Sequence, residues 1–208
     1  MSIVTLNDRA VRSVTTFGSV SGGSMVFIKK LTASSDSSLD FVDGSSSVVL
    51  DSTYKEYLFT FNNMHPSAAD EMFEFNGSDD TSSHSYNITK TSTIFVAHQS
   101  EAGSDTAIQY QAGDDIAQGT GFQDLQAYGQ QDTDNDSSIS GTLHLFNPSS
   151  TTFVKHFMAS SNCMVDNNYT VNTFTAGYFN TTAAITAMRF QYGTGNIDAG
   201  DICLYGIL

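Results

Sequence analysis

The stretch YKEYLFTFN, residues 54–62, carries the pattern that decides the fold. Period-two alternation places Tyr57, Phe59 and Phe61 on one face of an extended strand, with Leu58 and Thr60 between them on the other face. Because both faces are partly apolar, we expect this strand to lie in the interior of a sheet with a neighbour on each side.

Similar short runs lie on both sides of this stretch and are separated by turn-forming residues such as Asn76-Gly77 and Asn147-Pro148. Helical spacing of apolar residues occurs only at 116–128, where two glycines weaken it. The pattern predicts an all-β chain that forms a single β-sandwich of jelly-roll type. We predict the other strands at residues 25–31, 39–42, 48–50, 71–75, 85–90, 93–98, 139–146, 153–160, 171–179, 184–192 and 201–207.

Composition divides the 208 residues into an arm and one domain. Residues 1–24 are small and polar, end in a Ser-Gly-Gly-Ser joint and are predicted to form an N-terminal arm. Residues 25–208 are predicted to form the sandwich. Within it, apolar residues become sparse at 99–138, and we expect long polar loops there, at one end of the sandwich.

The net charge is −14, which disfavours nucleic acid as a partner because phosphates would be repelled. Charge is distributed unevenly, since residues 1–30 carry Arg9, Arg12 and two lysines against one acid. We therefore predict that the arm docks on an acidic support through Arg9 and Arg12, with Phe17 as an apolar anchor. A chance unevenness of charge is the alternative.

Motifs for the common catalytic and cofactor sites are missing from the sequence. We interpret the Gly-Thr-Gly at 193–195 as a turn between strands, because it is not followed by the helix that a dinucleotide site requires. We expect a protein that is not an enzyme and binds no cofactor. Paired carboxylates for glycan cleavage stay open, because the 22 acids offer many pairs and nothing singles one out.

Two possible metal-binding patterns are weak. The carboxylates of Asp132, Asp134 and Asp136 alternate as in a calcium loop, but Ser137 stands where the sharp turn needs glycine, so we favour a solvated acidic turn. A surface calcium site completed by other loops is the alternative. His144 and His156 lie on consecutive predicted strands, and alternation places His144 opposite its apolar neighbours. We interpret it as a hydrogen-bonded residue of the outer face, and we predict no metal site.

Cys163 and Cys203 can pair only if the fold brings them within about 7 Å, so two free thiols are the default expectation. There is no charged-then-apolar leader and no apolar run near the ~18 residues of a membrane span. We expect a soluble protein made in a cytoplasm, with no membrane partner.

Three segments carry a family resemblance. Residues 176–208, with AGYFN and GNIDAGDICLYGI, resemble the closing segment of β-sandwich virion structural proteins of marine tailed bacteriophages. Residues 11–30, with SVTTFGSVSGGSMVFIKK, and residues 143–157, LHLFNPSSTTFVKHF, are similar to the same group. The resemblance covers about half of the chain and includes no catalytic motif.

The resemblance implies a non-enzymatic protein on the outer surface of a virion, made in the host cytoplasm. It would act as capsid decoration or as a subunit of a tail fibre or other appendage, with other virion proteins of the capsid or tail as partners. We expect a homo-oligomer, a trimer in the first instance, because aromatic strands need cover at their edges. The alternative is a receptor-binding module that grips host surface glycans through the 99–138 loops.

Overall fold

The structure is a computed structural model and describes residues 24–208. Strands and turns, without a helix, make up this range. The all-β prediction is confirmed. The strands are β1 (Met25–Thr32), β2 (Leu39–Val42), β3 (Glu56–Pro66), β4 (Phe73–Ser78), β5 (Lys90–Ser100), β6 (Thr106–Tyr110), β7 (Gln123–Asp124), β8 (Ile139–Phe146), β9 (Lys155–Val165), β10 (Tyr169–Phe179), β11 (Ala187–Tyr192) and β12 (Ile197–Ile207).

The strands form two antiparallel sheets. The larger sheet has eight strands in the order β1-β12-β3-β8-β9-β10-β5-β6, and the smaller has four in the order β2-β11-β4-β7. A single cluster of buried apolar side chains joins the two sheets. The described residues are therefore a β-sandwich, as the sequence predicted.

Strand β3 occupies the interior position that its pattern predicted. It pairs with β12 on one side and with β8 on the other. Tyr57, Phe59 and Phe61 are fully buried on the inner face, while Leu58 and Thr60 are half-buried on the outer face. The Phe59 ring lies 5.3 Å, centroid to centroid, from the rings of Phe41 and Phe190 in the smaller sheet.

A bulged region bends β12 where it pairs with β3. The register shifts twice between Ile197 and Asp201. Gly200 lies there with φ +120, and a Cβ on it would stand 2.7 Å from the carbonyl oxygen of Asn63. Glycine is required because the backbone conformation and the close approach of β3 both exclude a side chain.

Most of the predicted strands occur with small shifts at their ends, and β2 and β8 have the predicted bounds. The turn at Asn147-Pro148 is confirmed, with Asn147 in the left-handed region at φ 48. Strands predicted at 48–50 and 85–90 are wrong, because both stretches are irregular up to Lys90. Their apolar residues Val48, Leu50 and Ile88 are nevertheless buried. The pattern of apolar residues thus indicated burial correctly but did not indicate strand pairing.

The turn predicted at Asn76-Gly77 is also wrong, because both residues lie inside β4. The Asn76 side-chain amide donates to the carbonyls of Tyr86 and Thr120, at 2.6 and 3.0 Å. A Cβ at Gly77 would lie 3.2 Å from the ring of Phe179. Tertiary contacts thus favour this dipeptide in a strand, although its local preference is for a turn.

Residues 99–138 are less loop-like than their composition predicted. They include β6 and β7, and residues 123 and 125–127 are buried. Buried glutamines hold this segment in place. Gln131 donates to the carbonyls of Met64 and Ser137 and accepts from Tyr192 Oη at 3.0 Å. Uncharged amides allow the polar segment to be buried without unpaired charge.

Of the predicted arm, residues 1–24, only Ser24 is described. In the described range the structure has no helix that could cross a membrane.

We predict that Phe59→Ala lowers the free energy of unfolding by about 3–5 kcal/mol, because it leaves a cavity between the two sheets. Phe153→Ala is the matched control, since Phe153 is 70% exposed and should cost less than about 0.5 kcal/mol. Urea denaturation monitored by circular dichroism measures both. Similar losses in the two variants would contradict the central role of Phe59.

Candidate interaction face

Five adjoining strands of the larger sheet, β8, β9, β10, β5 and β6, contain no Asp, Glu or Arg. Their two lysines, Lys90 and Lys155, are fully buried. The outward side chains of these strands are therefore without formal charge, and we call this surface the uncharged face. Such a surface is unexpected on a chain with 22 acids and a net charge of −14.

The centre of the uncharged face is a pair of stacked aromatic rings. Phe95 on β5 and Phe174 on β10 are ladder partners. Their ring centroids lie 5.0 Å apart with an interplanar angle of 15°, and the side chains are 43% and 40% exposed. Met158, Ile108 and Tyr110 extend the apolar surface and are each more than half exposed. Exposed apolar groups of this size are typical of contact surfaces.

Two shallow hollows lie on either side of the phenylalanine pair. One, of about 440 Å³, is lined by Ile108, two alanines and several polar side chains. Its polar residues are His98, Gln99, Thr106, Asn162, Thr170 and Asn172. The other, of about 470 Å³, is lined mainly by Thr93, His156, Met158 and Tyr178. The uncharged face thus offers hydrogen-bonding groups at one end and mostly apolar surface at the other.

The two buried lysines hold loops at the rim of the sandwich. Lys90 Nζ donates to the carbonyl of Gly121 and lies 5.9 Å from the centroid of the Phe179 ring. Lys155 Nζ donates to the carbonyls of Thr181 and Ala183. Burial lowers the pKa of Lys90 to about 8, although the nearby Glu74 opposes the shift, and burial also lowers the pKa of Lys155.

Sequence reasoning singled out no pair of carboxylates, but the structure brings one together. Glu74 on β4 and Asp124 on β7 are ladder partners. Burial raises the pKa of Asp124 to about 7, and the nearby Glu74 and Asp114 add to the rise. Burial also raises the pKa of Glu74, against a 2.7 Å hydrogen bond donated by Gln191. Neither acid lines the two hollows of the uncharged face.

The other candidate residues from the sequence include the predicted docking residues, two histidines and a glycine turn. Arg9, Arg12 and Phe17, the predicted docking residues, lie outside the described residues. His144 is on the outer face, as predicted, and its Nδ1 lies 2.6 Å from Glu56 Oε1. His156 is exposed on β9. The glycines at 193 and 195 lie between β11 and β12, in the turn that the sequence predicted.

Asp132, Asp134 and Asp136 line a small cavity of about 50 Å³ together with Asp166. Across residues 24–208, no group of three or more His, Cys, Asp or Glu side chains is arranged to hold a metal ion. Cys163 and Cys203 are free thiols on β9 and β12, with β3 and β8 between those strands. Burial raises the pKa of Cys163 to about 12.

The residues of the uncharged face were not predicted as a site, although the sequence contained a signal for it. Between residues 137 and 197 the only charged residues are Lys155, Asp166 and Arg189. Ile108 and Tyr110 were assigned to a loop because glycines and acids surround their short strand. A charge-free interval together with strand alternation would have identified most of the surface.

No family model matches the chain, and the searches of curated proteins and of solved structures found no match.

We predict that Asp124→Asn stabilises the protein at pH 8 by about 1–3 kcal/mol. The carboxyl has a pKa of about 7 when folded against an ordinary 3.8, so the folded chain binds the proton more tightly. The contribution of the Asp124 carboxyl to the free energy of unfolding therefore falls as pH rises from about 4 to about 7, and it does not return above that range. Asparagine resembles the protonated acid and removes this loss.

Urea denaturation at pH 8 and pH 5 measures the effect, which should be much smaller at pH 5. Asp136→Asn is the control, because Asp136 is exposed and the change removes the same charge. An equal gain from both variants at pH 8 would mean that net charge, and not burial of Asp124, sets the effect.

Proposed function

We propose that the chain is a non-enzymatic structural protein on the outer surface of a virion. It serves there as capsid decoration or as a subunit of a tail fibre or other appendage. The observation that carries this proposal is the uncharged face. An exposed surface without formal charge that carries large apolar side chains is suited to contact with another macromolecule. The resemblance of three sequence segments to virion structural proteins of marine tailed phages supplies the setting.

The proposal includes a division of labour between two parts of the chain. The sandwich, which we propose to be of jelly-roll type, presents the uncharged face to other virion proteins and to further copies of itself. The arm, with Arg9, Arg12 and Phe17, docks on an acidic support in the capsid or tail. Opposite charges on the arm and on the acidic sandwich support this assignment, because basic residues outnumber acids in the arm, whereas acids outnumber basic residues in the sandwich.

We predict that Arg9→Glu with Arg12→Glu abolishes binding of the purified chain to particles from which it has been stripped. Wild-type binding should weaken between 0.05 and 0.5 M NaCl, because salt screens attraction between exposed charges. Co-sedimentation of chain and particles measures both effects. The matched control is Lys29→Glu with Lys55→Glu, which makes the same change of charge outside the arm.

If the arm variant and the control bind equally well, electrostatic docking by the arm is wrong. If the wild-type chain does not bind particles at all, and antibodies against it do not label intact virions in electron micrographs, the virion proposal itself is wrong.

Glycan binding is the second candidate, and the 440 Å³ hollow favours it. The side chains of Asn162, Asn172, Thr170 and Gln99 supply amides and hydroxyls beside exposed apolar surface, as sugar recognition requires. Some of this capacity is used internally, since Asn172 Nδ2 donates to the carbonyl of Ser161 at 2.7 Å.

On a glycan array, this second function predicts a signal that Asn172→Ala reduces at least tenfold. Asn167→Ala is the control, because Asn167 is exposed and does not line the hollow. Glycan binding that is unchanged in Asn172→Ala would place the glycan site elsewhere. An array without any signal would contradict glycan binding and leave the structural role as the single candidate.

A further inference from the structure

The eight-stranded sheet ends at β6, whose outer edge is open in the described structure. Gln111 donates to the carbonyl of Ile94, and Ser100 donates to the carbonyl of Asp105. In an antiparallel pair, backbone groups point toward the partner at alternate residues. The backbone N–H and C=O groups therefore point toward β5 at residues 105, 107, 109 and 111. They point away from β5 at Thr106, Ile108 and Tyr110. Within residues 24–208 no backbone hydrogen bond reaches these groups.

The remainder of this sheet edge is covered. Residues 116–119 run beside the start of β5, where Lys90 exchanges backbone hydrogen bonds with Gly119 and Ser92 donates to Ile116. Only β6 leaves its hydrogen-bonding groups open on this side of the sheet among the residues described.

The two outer strands of the sheet differ in their protection against pairing. Strand β1, at the opposite edge, carries Lys29 and Lys30 and has a bulge between Phe27 and Lys29, two features that oppose pairing with another chain. Strand β6, TAIQY, contains no charge, no proline and no bulge. Ile108 at its centre is 78% exposed. An unprotected edge of this kind is a template for another strand.

The acids that flank β6 are turned back onto their own chain. Asp105 Oδ2 accepts from the hydroxyls of Tyr128 and Tyr169, at 3.2 Å each. Asp115 Oδ2 accepts from the hydroxyl of Tyr110. The strand is thus anchored at both ends, and none of its own residues is charged. On a chain of net charge −14, this is an edge that a second copy can approach with little local repulsion.

We propose that two copies of the chain pair antiparallel through β6, about a two-fold axis at Ile108. The strand is self-complementary in this arrangement, because Ile108 faces the partner's Ile108 and Thr106 faces the partner's Tyr110. Each facing pair exchanges two backbone hydrogen bonds. The sheets of the two copies become one, and their uncharged faces, including Tyr110 and the adjacent Phe95, join into a single surface.

This inference deepens the oligomeric part of the proposed function by naming the partner as a second copy. It rests on that part only and is tested in purified protein without particles, so its failure can be told apart from failure of the virion role. It also replaces the trimer expected from the sequence, because pairing of like edges closes as a dimer.

Cysteine cross-linking tests the pairing in the full chain on a Cys203→Ser background. Facing Cα atoms lie about 5.5 Å apart in such a pair, which suits a disulfide. We expect I108C to form a disulfide-linked dimer under mild oxidation. M158C is the control, because Met158 is 56% exposed on the same face but lies on the interior strand β9. Equal cross-linking of both variants, or of neither, overturns the proposal.

The register has its own test. T106C and Y110C should each cross-link at least tenfold less than I108C when alone, and should cross-link to one another when the two variants are mixed. Cross-linking of T106C or Y110C with itself, at the level of I108C, overturns the antiparallel register centred on Ile108.

Sedimentation velocity measures the dimer without cross-linking. The dimer fraction should rise between 0.05 and 0.5 M NaCl, since two acidic copies repel each other less at high salt. Ile108→Lys should shift dimerisation to at least tenfold higher concentration, while Met158→Lys leaves it unchanged. A trimer mass, or a dimer that is indifferent to Ile108→Lys, overturns the proposal. Circular dichroism checks that each variant is folded.

Discussion

The contact between the Phe59 ring and those of Phe41 and Phe190 is the interaction on which the architecture depends. It joins the middle of the large sheet to the smaller sheet, and the other inner aromatic residues pack around it. Burial of these aromatic side chains stabilises the sandwich, whose described residues form no helix. Because four strands face eight, this core cannot cover the whole inner surface, and β6 extends beyond it with its side chains mostly exposed.

The placement of charge follows from the same packing. The two lysines of the uncharged strands are directed inward to backbone carbonyls at the rim, where they hold the loops that close the sandwich. Acids lie on loops, on the smaller sheet and on strands β3 and β12 of the larger sheet. The half-buried pair Glu74 and Asp124 has raised pKa values. The outer surface of strands β8, β9, β10, β5 and β6 is left mainly to hydroxyl, amide and apolar side chains, which suits it for contact with other molecules.

The sequence was informative where burial and strand pairing coincide. The alternation around Phe59 predicted an interior strand correctly, and the regular strands from residue 139 onward were found for the same reason. It was misleading where apolar residues are buried without pairing, as at Val48 and Ile88, and where tertiary contacts override a turn preference, as at Gly77. The open edge of β6 was missed because five residues among acids and glycines give too weak a periodic signal, and an edge is defined by strand order, which local sequence does not encode.

The position of β12 has a consequence for how the chain is made. This last of the twelve strands inserts between β1 and β3, two of the earliest. Until residues 197–207 leave the ribosome, β1 and β3 both lack their partner β12, so completion of the large sheet must follow synthesis of β12. Folding is then governed by contacts between distant parts of the chain, and it is expected to be slow. Nascent or truncated chains would expose aromatic strands during that interval, and they would depend on chaperones or on rapid release to escape aggregation.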